Sequence, residues 1–358
     1  MTDGHKKKAR PTIQAIAERA GVSRATVSLI LTNRPEVVSR FKPATVEKVR
    51  SLAEEMGYTA NLMAISLRSP HPTFFGLILR GRGVVDAHSW HHQALEGQFV
   101  SGVMEAARLR KLFCVLATQQ SPDAEAAAQR VRGLIDGGVF GAIVRTPVPE
   151  LDEPMRRQIE QGLPVVIVFP EHPTACSSNA IDVDNPGVGR IAGQLLRDAG
   201  RRRWLIISDD FLWEPIRLRE QGALAAATEA GVNVELLTIP SDIGEAGIVA
   251  WLTPRLKDLR PDGIYAASSV ASVGTLHSCL EAGLRVPDDT CLVGCDASFW
   301  RVPGWSAITS VDVSWYEAGD LAVRKMVELQ ESEQAVFDNV QLSPRVRAGD
   351  TCPVSAAT

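Results

Sequence analysis

Few residues in this chain of 358 have the types and spacing of a reaction centre. The run from Gly187 through Gly189 to Ala192, "GVGRIA", fits G-x-G-x-x-A, and Asp209 follows about 20 residues on. Such glycines bring a backbone close to a pyrophosphate while the acid takes a ribose hydroxyl, as in a NAD-dependent oxidoreductase. The context weighs against this. The preceding strand "IDVD" is short and acidic, and Asn185-Pro186 intervenes, so the glycines fall inside a helix. "HSWHH" offers His88, His91 and His92 to zinc, but only Asp86 stands nearby to complete a set, so it reads as a loop at a cleft mouth. Cys291 and Cys295 lie four apart on one strand, face one side, and read as core. No nucleophile elbow or phosphate loop is present. The reading is therefore not an enzyme, with no metal and no cofactor, and the oxidoreductase stands as the alternative.

Charge is unevenly distributed. Residues 1–70 carry 12 Lys and Arg against 6 Asp and Glu, and the remainder 26 against 36. A basic head on an acidic body suits a head that meets a polyanion. Within it, Ile13, Ile16, Ala17 and Ala20 recur at helical spacing. Gly21 suits a left-handed C-cap and Ser23 an N-cap. A second helix runs from Arg24 to about residue 33, burying Val27, Ile30 and Leu31 and turning Arg24, Ala25, Ser28 and Leu29 outward. Two short helices joined at a glycine form a helix-turn-helix. A third is expected from about residue 44 to 56, with Val46, Val49, Leu52 and Ala53 inward and Gly57 as its stop.

"TIQAIAERAGVSRATVSLILTNRP" and "VEKVRSLAEEMGYTANLMAISLRS" together resemble the DNA-binding head of the lactose-repressor (LacI/GalR) family of bacterial transcription regulators. The resemblance implies that Arg24, Ala25, Ser28 and Leu29 read the major groove, while Ser23 and Thr26 touch phosphates. It also implies a hinge helix from Asn61 through Ala64 to Leu67 that enters the minor groove, with Leu67 wedging a base step. Leu29 stands where the family often has arginine, Ala60 replaces a proline, and Ile65 replaces a polar residue. The segment before the third helix is about three residues longer than usual.

Beyond the proline-containing stretch 69–72, apolar runs alternate with helical patterns. Strands are expected at 74–79, 112–117, 139–144, 164–169, 203–208, 234–239, 262–267 and 290–295. Helices are expected at 122–136, 151–162, 186–199, 214–230 and 270–282. This predicts an α/β body of two doubly wound parallel sheets with a ligand cleft near strand C-termini. "RLREQGAL", "CLVGCDAS" and "ITSVDVSWYEAGDLAV" resemble the effector domain of the same family, related in fold to periplasmic sugar-binding proteins. The resemblance implies effector contacts at Arg219, with Arg217 nearby, at Asp296, and at Trp315 as a stacking ring. Phe169 and Ser268-Ser269 replace polar residues of the family, and a less polar cleft is expected.

Three parts follow: a helix-turn-helix domain at 1–60, a hinge and linker at 61–72, and an effector-binding and dimerisation body at 73–358. The expected partners are double-stranded operator DNA, a small-molecule effector (a sugar or related polyol) and a second copy of the chain. The tail after Arg347 lacks the family's tetramerising leucines. The absence of a signal segment, of a membrane span and of any C-x-x-C pair among six scattered cysteines predicts a cytoplasmic protein.

Overall fold

The computed structural model describes residues 11–31, 38–58, 73–80, 90–119, 129, 132–134, 138–147, 151–170, 178–209, 214–298, 307–332, 334 and 336–354. Asn61, Ala64 and Leu67 lie outside them, as do His88 and Asp86. The chain divides into two units, Met1–Thr73 and Phe74–Thr358.

Among the described residues, the first unit holds three helices: α1 (Ile13–Ala20), α2 (Arg24–Leu31) and α3 (Pro43–Glu55). Thr12 caps α1 by accepting from Ala15 N, and Gly21 closes it at φ 72°. That left-handed conformation costs glycine little. Ile16, Ala17 and Ala20 of α1 meet Val27 and Ile30 of α2 and Val46, Val49 and Ala53 of α3 in one core. Ile16, Ile30 and Val49 are fully buried, each contributing about 1.5–3 kcal/mol.

The second unit begins with β1 (Phe74–Leu79), α4 (Trp90–Leu109), β2 (Phe113–Thr118), β3 (Ala142–Arg145), α5 (Asp152–Glu160), β4 (Val165–Val168) and β5 (Ala180–Val183). It continues with α6 (Asn185–Asp198), β6 (Arg203–Asp209), α7 (Glu214–Ala230), β7 (Asn233–Ile239), α8 (Gly244–Leu259), β8 (Gly263–Ala266) and α9 (Ser269–Glu281). It ends with β9 (Cys291–Cys295), β10 (Thr309–Asp312), α10 (Trp315–Glu331), β11 (Val340–Leu342) and β12 (Arg345–Arg347). Two six-stranded sheets result, ordered β11-β5-β4-β3-β1-β2 and β12-β10-β9-β8-β6-β7. The pairs are parallel except β10 with β12. Central strands such as β4 and β9 are buried along their whole length, which explains their unbroken apolar runs.

The chain passes between the two sheets three times. After β5 it enters α6, which packs on α7 and on the second sheet. After β10 it enters α10, which packs on α4 and on the first sheet. Between β11 and β12 it passes from the first sheet to the second. Glycines permit both helix crossings. A Cβ on Gly189 would stand 1.8 Å from Arg219 O, and one on Gly222 2.0 Å from Pro186 O. At the other crossing, a Cβ on Gly102 would stand 2.0 Å from Tyr316 O. The "GVGRIA" glycines therefore sit inside α6, where Gly189 serves helix packing and Gly187 lies against the N-cap Asp184.

Several expected boundaries move. β3 starts at Ala142 rather than residue 139, because Phe140 and Gly141 lead in before the ladder begins. The histidine stretch, expected as a loop, is helical from Trp90 onward. Helices α4, α8 and α10 and strands β10, β11 and β12 were not among the named elements.

Candidate functional site

Two surfaces merit chemical attention, one in each unit. On the head, Ser23 Oγ accepts from Thr26 N at 3.0 Å and lies 2.9 Å from Thr26 Oγ1. This cap starts α2 on an exposed turn. With Val27 and Ile30 buried, the opposite side of α2 presents Arg24, Ala25 and Leu29 to solvent, with Ser28 and Thr26 half-buried beside them. Leu29 is 44% exposed, a large apolar side chain left outward on a small helix. A cation, two hydroxyls and an apolar group on one short helix can contact phosphates, base edges and a thymine methyl.

In the body, a cleft with about 880 Å³ of empty space, its open mouth included, is lined by Arg80, Arg145, Phe169, Asp182, Asn185, Asp209, Arg219, Ser268, Asp296, Val313 and Trp315 among others. That space suits a small molecule. Most of these residues sit at or just beyond strand C-termini, where a doubly wound sheet opens its crevice. Three of the turns there are left-handed without glycine: Thr146 after β3 (φ 48°), Phe169 after β4 (φ 52°) and Asp296 after β9 (φ 51°). Each conformation costs about 1–3 kcal/mol. All three strained residues line the cleft.

Arg219, buried on α7, organises one part of the cleft. Its Nε donates to Asn185 Oδ1 at 2.9 Å, and its Nη1 donates to Cys295 Sγ at 3.0 Å and to Asp296 Oδ2 at 3.4 Å. Asp296 Oδ1 accepts from Val313 N at 2.7 Å. Burial pushes the Asp296 carboxyl up to about 6, with Arg219 opposing the rise. Burial also pushes Asp209 up to about 6, against a hydrogen bond from Ser268 and the charge of Arg219. Among the described residues, Asp209 Oδ1 has no hydrogen-bond partner.

Trp315 opens α10 and meets Phe169 edge-on, ring centroids 4.8 Å apart. The Arg145 guanidinium lies 5.0 Å from the Trp315 ring centroid. Among the described residues, Trp315 Nε1 makes no well-formed hydrogen bond, though it faces Asp296 closely enough to oppose that carboxyl's rise. An apolar ring wall beside unpaired donors and acceptors matches a polyol, which has both carbon faces and hydroxyls.

The structure brings five of the named effector residues to this cleft: Phe169, Arg219, Ser268, Asp296 and Trp315. It does not bring Arg217, two residues along α7 from Arg219. Arg217 projects to solvent and pairs with Glu214 one turn back. The lining is largely apolar, with Phe169 and Ser268 as read, although among the described residues Arg80, Arg145 and Asp209 also arrive from other strand ends. The sequence suggests Asp209 only as a ribose ligand of a dinucleotide. Arg80, Arg145 and Asn185 were missed, although their places beside strand ends were a usable signal. Among the described residues, no group of three or more metal-ligating side chains comes together.

Residues 12–61 match the family model of bacterial regulatory proteins of the lacI family, and residues 192–352 match the periplasmic binding protein-like domain. The HTH-type transcriptional regulator CelR of Thermobifida fusca is 29% identical over 340 residues, spanning 90% of this chain and 92% of that protein. A CelR–cellobiose complex superposes with a TM-score of 0.62 at 26% identity, covering 96% of this chain and 100% of that one. The ribose operon repressor of Escherichia coli K12 is 24% identical over 341 residues, spanning 93% and 97% of the two chains. In fold, the chain is similar to the Lac repressor dimer bound to operator and the anti-inducer ONPF, with a TM-score of 0.77, 21% identity, and coverage of 96% and 99%. These comparisons favour a regulator and give the oxidoreductase alternative no support. With the head motif, the exposed face of α2 and the two-sheet body in agreement, the chain belongs to the lacI family of bacterial regulatory proteins, DNA-binding transcription regulators rather than enzymes.

Proposed function

We propose that the protein is a repressor that binds a roughly palindromic operator as a homodimer, and that a sugar or related polyol in the body cleft sets its operator affinity. In this reading Arg24, Ala25, Ser28 and Leu29 meet base edges, and Ser23 and Thr26 meet phosphates. Asn61, Ala64 and Leu67 enter the minor groove, and Arg219, Asp296, Ser268, Phe169 and Trp315 hold the effector. Residues 1–60 act as the head, 61–72 as the hinge and 73–358 as the body. One head reads one half-site, so a palindrome needs two. The relatives point the same way: the Lac repressor dimer is held on operator, and CelR is held with cellobiose. A cytoplasmic location follows from the role alone, since the chromosome is there.

The observation that carries the effector reading is Asp209 Oδ1, unpaired among the described residues, in a cleft walled by Phe169 and Trp315. A buried acceptor without a partner costs about 1–3 kcal/mol, which a ligand hydroxyl recovers. The effector works by population shift: it favours one arrangement of the body, and operator affinity follows that arrangement. The test is an electrophoretic shift with a promoter fragment, repeated with increasing salt and with candidate sugars. Operator binding that weakens steeply with salt and changes with one sugar supports the reading. Binding that ignores every sugar removes its effector half. Failure to bind any promoter fragment removes the whole.

A further inference from the structure

Cys291 and Cys352 are far apart in the chain, and the fold brings them together. Leu292 N donates to Thr351 O at 2.9 Å, and Thr351 Oγ1 donates to Leu292 O at 2.7 Å. Cys291 precedes that pairing at the start of β9 and Cys352 follows it. The two side chains meet in one core cluster, and their thiols hydrogen-bond each other. Arg201 stands beside them. Its Nη2 donates to Pro287 O at 2.9 Å, and Cys291 Sγ lies 3.8 Å from the same carbonyl. Among the described residues, the buried Arg201 Nε makes no well-formed hydrogen bond. The hydrogen bond from Cys352 holds Cys291 down at about 7 against burial, and the Arg201 charge adds to it. The same bond, with burial, pushes Cys352 up, so Cys352 keeps its proton and acts as the donor. Elsewhere burial pushes Cys114 up to about 11 and Cys279 up to about 12.

We infer that Cys291 and Cys352 form a modification site, a dithiol that hydrogen peroxide converts to a reversible disulfide, with Arg201 supplying positive charge beside Cys291. The thiolate is the nucleophilic form of cysteine, and a neighbouring cation favours it. The Cys291 sulfur attacks one peroxide oxygen. The O–O bond breaks, an S–O bond forms, and the other oxygen leaves as hydroxide, which takes the proton Cys291 has released and becomes water. The Cys352 sulfur then attacks the Cys291 sulfur. The S–S bond forms, the S–O bond breaks, and the second water leaves with the Cys352 proton. Two thiols lose two electrons in all, and one peroxide becomes two waters. Both cysteines are buried, but the exposed Asp288 and Pro353 and the half-buried Arg201 lie directly around them. A molecule of peroxide's size therefore suits the site, and a bulky disulfide does not. In a reducing compartment such a bond is transient, and a thiol reductant restores the pair.

The test treats the native full-length protein with hydrogen peroxide, blocks the remaining thiols with N-ethylmaleimide in denaturant, and maps the peptides by mass without reduction. The expected product is a Cys291–Cys352 linked peptide, two hydrogens lighter than the sum of its parts and separated again by dithiothreitol. Cys291 should be lost at least about tenfold faster than Cys279, whose thiol has no such neighbours. Melting temperature should rise on oxidation and return on reduction, because the bond ties the segment at Thr351 to β9. If Cys291 and Cys352 both remain alkylated, or either links to another cysteine, the proposal is overturned. Cys352→Ser keeps a hydroxyl donor but no second sulfur. It should abolish the bond and leave Cys291 as a sulfenic acid that dimedone labels. An unlabelled Cys291 in that variant overturns its role as the attacking thiol. Arg201→Met should slow Cys291 oxidation several-fold, and an unchanged rate overturns the part given to Arg201.

Discussion

Arg219 Nη1 lies 3.4 Å from Asp296 Oδ2, with both side chains buried in one cleft. The pair joins α7 to the end of β9, and Asn185 ties the same guanidinium to the start of α6. A buried charge that loses its partner destabilises by about 3–5 kcal/mol. Arg219→Ala should therefore lower the melting temperature with no ligand present and also abolish the effector response. A variant with unchanged melting temperature would show that Arg219 serves ligand alone. Thermal denaturation with and without effector distinguishes these outcomes.

Asp209 and Asp296 predict a pH dependence. Burial raises both folded-state values to about 6 from 3.8. The folded state thus holds protons that the unfolded state has already released. The associated stability is fully present below about 4 and is lost as pH rises through about 6. The body should melt at a higher temperature at pH 5 than at pH 7. Asp209→Asn removes one of the two groups, so it should raise the melting temperature at pH 7 and leave it nearly unchanged at pH 4. An unaltered slope would refute the assignment to Asp209.

Gly189 tests the α6–α7 crossing. A methyl there meets Arg219 O at 1.8 Å, a backbone atom that cannot rotate away. Gly189→Ala should cost about 1–3 kcal/mol, the usual penalty of overpacking. Because the obstructed carbonyl belongs to Arg219, effector affinity should fall as well. Chemical denaturation and calorimetry measure the two losses separately.

Ser23 tests the head. Its hydroxyl satisfies Thr26 N at the start of α2. Ser23→Ala should destabilise this helix by about 1 kcal/mol and weaken binding to operator and random DNA alike. Selective loss on operator would instead give Ser23 a base-reading role.

The head was the most legible part of the chain. Its helices are short, each shows its own apolar period, and Gly21 and Ser23 punctuate them. The body's central strands were legible because burial on both faces demands an unbroken apolar run, as in "PVVIVF" and "CLVGC". The strands lost to view were those lacking such a run. β10 reads Thr-Ser-Val-Asp and β12 is three residues at a sheet edge. Helix α8 has Pro254 inside it, which reads as a breaker until tertiary packing overrides it.

The cleft was legible one residue at a time, at Phe169, Arg219, Ser268, Asp296 and Trp315, each in its own stretch at a strand end or on a helix. Arg217 and Arg219 look equivalent in "RLREQ", and helix geometry separates them: two positions apart is about 200° around the axis. One faces Asn185 and the other Glu214. Arg145 and Arg80 follow different strands, and nothing local marks them as neighbours. Sheet order places β1 beside β3, and only that adjacency brings the two cations to one cleft.

The three passages between sheets bear on how the body is made. Neither lobe is a continuous stretch of chain: the first needs α10 and β11, and the second needs β12. Residues 74–183 leave the ribosome early, yet their lobe lacks an edge strand and a packing helix until residues 315–342 emerge. Such long-range pairing raises contact order and slows folding. A nascent chain will therefore display the apolar face of α4 until α10 arrives. That face is a natural binding place for a chaperone during synthesis.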